Sequence, residues 1–83
     1  MTHIVIADDH TFVRAGLKQV LSDIVETQTL REASNGHEVF TLLREGPCDV
    51  LILDINLGDQ SGLEVLKQVR QQHPEVAVLI LTM

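Results

Sequence analysis

Eighty-three residues with 45% apolar content make one globular domain, and one of this size buries only about 60% of its unfolded surface. A net charge of −6 argues against direct binding of nucleic acid, which needs a basic face. A single cysteine rules out a disulfide framework, and no apolar run approaches the ~20 residues of a membrane span.

With no Trp, no Tyr and two Phe, the core has to be aliphatic. The first candidate element is the strand His3-Ala7 (HIVIA), which runs straight into Asp8, Asp9 and His10. A charged pair so early leaves no room for a signal peptide, so the chain is expected to be cytoplasmic. Val13, Leu17, Val20, Leu21 and Ile24 recur at three and four, which predicts a helix over 11–24. Thr27-Ala33 (TQTLREA) reads as a more polar strand nearer an edge. Val39, Leu42 and Leu43 predict a helix over 36–45, capped by Asn35 and stopped by Gly46-Pro47. Cys48, a small residue, precedes the strand Val50-Leu53 (VLIL). Leu63, Leu66 and Val69 predict a helix over 62–72 with Ser61 as its cap and Pro74 beyond. The last run, Val76-Leu81 (VAVLIL), is a strand again.

The apolar runs are continuous, which suits strands buried on both faces of a parallel sheet. Strict alternation of strand and helix implies right-handed crossovers. No Gly-rich loop follows the first strand, since Ile6-Phe12 (IADDHTF) holds no glycine, so the dinucleotide and P-loop classes are excluded.

In a parallel sheet all carboxyl ends share one edge, where open α/β sheets bind ligands. Asp8, Asp9, Asp54 and the Thr82 hydroxyl are therefore expected in one cleft. Two carboxylates about 4 Å apart repel by about 4 kcal/mol at an effective dielectric near 20. Either one keeps a proton or a cation sits among them. Oxygen ligands alone point to Mg²⁺, with retained waters and a phosphate. His3, His10, His37 and His73 lack zinc-ligand spacing, and His10, although it follows the acid pair, is read as a first-turn residue of the helix rather than a metal ligand.

These residues resemble the receiver domains of two-component response regulators, closest to the NarL/FixJ (LuxR-type) transcription regulators. The likeness lies in IVIADDHTFVRAGLKQVL, in Glu32-Ala33-Ser34-Asn35-Gly36, in CDVLILDINLGDQSGLEVLKQVR and in Val78-Leu79-Ile80-Leu81-Thr82. It implies a flavodoxin-like doubly wound parallel sheet in the order 2-1-3-4, with residues 1–83 forming a partial receiver that lacks a fifth strand and the last two helices. It implies a phosphoacceptor switch module, not an enzyme on other substrates, taking phosphate from a sensor histidine kinase. DNA would be reached only through a C-terminal output domain. Asp54 would accept the phosphoryl group. Asp8 (partly through water), Asp9, Asp54 and the Asn56 carbonyl would hold Mg²⁺, and Thr82 would bond the phosphoryl oxygen and report the state.

Two departures follow from the resemblance. Receivers commonly carry Pro four residues after the phosphoacceptor, where this chain has Gly58, so a looser loop is expected. The family's phosphoryl-binding lysine is missing, and Lys18 and Lys67 lie on predicted helices. The 83 residues alone should therefore be labelled poorly. Their bare last strand should drive a homodimer or larger oligomer, through Val76-Leu81 or by exchange of elements. A haloacid-dehalogenase-like phosphatase is the other catalytic class considered. It wants Asp-x-Asp, and Asn56 stands where its acid should be. An inert structural fragment is the third reading.

Overall fold

The computed structural model describes residues 1–24, 28–58 and 60–81. Along the chain run β1 (Thr2–Ala7), α1 (Thr11–Ile24), β2 (Gln28–Ala33), α2 (Gly36–Glu45), β3 (Val50–Asp54), β4 (Asn56–Leu57), β5 (Gln60–Ser61), α3 (Gly62–Gln72) and β6 (Ala77–Leu81). The three helices lie where their apolar periodicity places them. Thr27, the expected start of the second strand, lies outside the described residues, as does Thr82. The large sheet has the order β2-β1-β3-β6 and is parallel throughout. That is 2-1-3-4 counted along the chain, with the polar β2 at one edge as its composition implies. The antiparallel ribbon of β4 and β5, two residues each, is too short to leave a periodic signal.

Local chemistry fixes the helix ends. Asn35 Oδ1 accepts the Glu38 amide N–H at 2.8 Å. Glu38 in turn accepts the Ser34 amide at 2.7 Å and the Ser34 hydroxyl, a reciprocal arrangement that satisfies donors at the start of α2. The Ser34 hydroxyl, then its amide, holds the Glu38 carboxyl below its usual range. Ser61 Oγ accepts the Leu63 amide at 3.2 Å and caps α3. Arg31 donates to the carbonyls of Leu42 and Pro47 at 3.0 and 2.8 Å, which ties off the end of α2.

Side chains alternate across the strands, so each strand feeds two cores. Val5, Ala7, Ala33, Leu51 and Leu53 meet Val39 and Leu43 of α2, Val65 and Val69 of α3, and Leu57 of the ribbon. Ile4, Ile6 and Ile52 form the other core, where Leu17 and Leu21 of α1 are only partly buried. The expected burial on both faces holds for β1 and β3 but not for β6. Leu79 is 58% exposed, and Ala77 is exposed too. Leu79 pairs with Ile52, so it faces the α1 side, where nothing among the described residues covers it. Val76 precedes β6 and is buried in the first core.

Candidate functional site

The strand register builds the site. Ala7 pairs with Leu53, so the next residues, Asp8 and Asp54, leave adjacent strands side by side. The Asp8 amide still donates to Ala33 O at 3.0 Å, which keeps the chain in line one residue beyond β1. Both side chains are buried, while that of Asp9 is 34% exposed. One carboxylate oxygen each from Asp8, Asp9 and Asp54, with one His10 ring nitrogen, lie within 4.8 Å of one another. The three acids expected in one cleft are in one cleft.

Each acid has one oxygen held and another left over. Asp54 Oδ1 accepts the Asn56 amide at 3.1 Å, and Asp8 Oδ1 accepts the His10 amide at 2.7 Å. Asp8 Oδ2 and Asp54 Oδ2 are buried with no hydrogen-bond partner. A buried orphan oxygen costs about 1–3 kcal/mol, more when charged, and that of Asp54 stands 3.6 Å from His10 Nδ1 within the cluster, which fits a divalent cation there. Asp9 Oδ2 accepts the Gly58 amide N–H at 3.1 Å, leaving Oδ1 toward the gap.

Gly58 stands where the resemblance led to the expectation of a looser loop. It has φ +57°, the left-handed region that glycine enters without strain, and its amide is tied to Asp9. A proline there could adopt neither that φ nor donate that bond. Gly62 also shapes the ribbon: a Cβ at that position would lie 2.2 Å from Asp54 O and 2.7 Å from Ile55 Cα. Its amide donates to Ile55 O at 2.6 Å, so the start of α3 presses on the backbone that carries Asp54.

His10, read from the sequence as a first-turn residue rather than a ligand, joins the acids. Rather than serving only the helix start, its Nδ1 stands 2.8 Å from Asp8 Oδ1, 3.0 Å from Asp9 Oδ1 and 3.6 Å from Asp54 Oδ2. The Asp8 oxygen it bonds, then the Asp9 charge, raises the imidazole pKa above its ordinary value. The signal was its position right after the acid pair, where a turn closed by its own amide on Asp8 folds the ring back.

Behind the site, Arg14 donates to the Asp8 carbonyl and, at 3.2 Å, to Glu32 Oε1. Lys18 reaches Glu32 Oε2 at 3.2 Å and, with Arg14, keeps the Glu32 carboxyl below its usual range. Lys18 is therefore engaged away from the acids, as expected. Asn56, the expected carbonyl ligand, begins β4 two residues after Asp54. A recess of about 380 Å³, lined by Asn35, His37, Leu57, Gly58 and Gln60, lies beside the acids rather than over them.

Residues 4–83 match the family model described as the response regulator receiver domain. The chain belongs to that family. The receiver is 32% identical to the response regulator GacA of Pseudomonas viridiflava over 99% of its own length, and it spans 38% of that relative. Among solved structures, it is similar to the MaeR response regulator bound to beryllium trifluoride, at 27% identity and TM-score 0.93, over 99% of this chain and 67% of that one. It is similar also to RcsB of Salmonella typhimurium, at 27% identity and TM-score 0.89, over 99% of this chain and 42% of that one. These likenesses agree with the expected flavodoxin-like fold and with a LuxR-type relationship. They do not favour the haloacid-dehalogenase-like reading. No helix among the described residues is long and apolar enough to cross a membrane.

Proposed function

We propose that this receiver takes a phosphoryl group from a sensor histidine kinase onto Asp54. The observation that carries the reading is the asymmetry of that carboxylate. Oδ1 is fixed by the Asn56 amide, while Oδ2 is buried, unpartnered and turned into the acid cluster. One oxygen is oriented and the other is free to attack. In the transfer, an Asp54 oxygen forms the new bond to phosphorus as the P–N bond of the donor phosphohistidine breaks. The electron pair stays on the donor imidazole.

Mg²⁺ would be held by Asp8, Asp9, Asp54 and the Asn56 carbonyl, and when bound it neutralises charge on the phosphoryl oxygens. The chain's own groups do the rest. Gly58 holds one oxygen of Asp9, and Arg14 holds the backbone of Asp8. Burial excludes water from the Asp54 carboxylate. In this reading Thr82 would supply a hydroxyl to the phosphoryl group. Asp9 and His10 reach the surface at the edge of the site, which suits delivery by a protein donor.

The receiver acts on itself alone and is not an enzyme on other substrates. Residues 1–83 would serve, in the cytoplasm, as the switch of a longer transcription regulator that meets DNA through an output domain. RcsB dimers have been solved bound to DNA. Intact-mass measurement after incubation with acetyl phosphate and Mg²⁺ tests the proposal. The parent chain should gain one phosphoryl group slowly, and Asp54→Asn should gain none. Labelling of Asp54→Asn would refute the assignment.

A further inference from the structure

We propose that His10 Nδ1 is a direct ligand in the acid site, so that the site prefers a first-row transition ion such as Mn²⁺ over Mg²⁺. The inference rests on the metal reading above and adds a donor to it. Ligands adjacent on an octahedral ion, each bound at about 2.1 Å, stand about 3.0 Å apart. Nδ1 lies 2.8 and 3.0 Å from oxygens of Asp8 and Asp9, the separation of neighbouring ligands on one such ion, and 3.6 Å from one of Asp54, which would draw in slightly to join them. It reaches all three acids at once.

The ring is placed, not free to wander over the surface. Its own amide is bonded to Asp8 Oδ1 at 2.7 Å, and its carbonyl accepts the Arg14 amide at 3.1 Å as α1 begins. The buried, unpartnered Oδ2 of Asp54, 3.6 Å from Nδ1, supplies the independent sign that something positive belongs in the gap. As a ligand the imidazole would be neutral and would present its Nδ1 lone pair, any proton there being released to solvent. Carboxylates suit Mg²⁺ and Mn²⁺ alike, whereas an imidazole nitrogen binds first-row transition ions and adds little for Mg²⁺. His10 is therefore a specificity-determining residue of the site.

Pulsed EPR of bound Mn²⁺, with calorimetry of Mn²⁺ and Mg²⁺, tests this. The parent chain should show ¹⁴N coupling to Mn²⁺, and His10→Ala should lose it. Mn²⁺ affinity should fall at least about tenfold, the smaller of the losses seen when groups supporting a metal site are removed, while Mg²⁺ affinity changes less. The ring is half-exposed and outside both cores, so the variant keeps its fold, and the parent spectrum is decisive without it. Bound Mn²⁺ without ¹⁴N coupling, or coupling that survives in His10→Ala, would overturn the His10 assignment and leave the metal reading standing. A parent chain that binds neither ion would overturn both.

Discussion

The two faces of the sheet are finished differently. On the α2 and α3 side, Val39, Leu43, Val65 and Val69 are buried against Val5, Leu51 and Leu53, and the ribbon adds Leu57. On the α1 side no residue of the helix is fully buried, and Phe12, Val20 and Ile24 stand exposed. Leu79 of β6 lies bare on that same side. The acids sit at the edge between the two. Asp9 is tied to the ribbon of the sealed side through Gly58, and His10 leads into the helix of the open side. Stability thus comes chiefly from one face, while the site draws on both.

Truncations on the two faces should therefore differ. Leu53→Ala on the sealed face should cost about 2–5 kcal/mol of unfolding free energy, because the cavity cannot collapse. Urea unfolding followed by circular dichroism reads this directly. Gly62→Ala should cost about 1–3 kcal/mol, because the obstructing atoms are backbone of Asp54 and Ile55. At Gly36 the nearest obstacle is the far end of the Gln60 side chain, which can move, so Gly36→Ala should cost less. Leu17→Ala on the open face should cost only about 1 kcal/mol, as its side chain already meets solvent. Equal losses for Leu53→Ala and Leu17→Ala would erase the distinction between the faces.

The open face also bears on association. The 83-residue chain should sediment as a dimer or larger species at tens of micromolar, and Leu79→Lys should shift it toward monomer. A parent chain that is monomeric and folded would show that the bare strand is tolerated. The smallest effect concerns Cys48, whose thiol bonds Val50 O at 3.3 Å. Burial pushes that thiol above its ordinary range. Since the thiolate is the reactive form, alkylation at pH 8 should be slower than for free cysteine, and urea should restore the rate.

Much of this was legible in the sequence, for identifiable reasons. Continuous branched runs and helical periodicity placed the three helices and the parallel sheet, because burial enforces those patterns. Acids at the ends of apolar strands gave the site, because the register of a parallel sheet leaves their strand ends side by side. The rest turned on single geometric events that no pattern records. The left-handed φ of Gly58 and its bond to Asp9 are of that kind. His10 looked like a helix-start residue because ring direction depends on one short turn. The bareness of β6 was expected from the resemblance, whereas the composition of that strand alone does not distinguish one face from two.

The central claim is that Asp54 carries the switch. Borohydride reduction of the labelled chain converts an acyl phosphate into homoserine and fixes its position by peptide mass. After acetyl phosphate and Mg²⁺, homoserine should appear at residue 54 and at neither residue 8 nor residue 9. Homoserine at either of those positions, or none anywhere in a chain that has gained phosphate, would contradict the account.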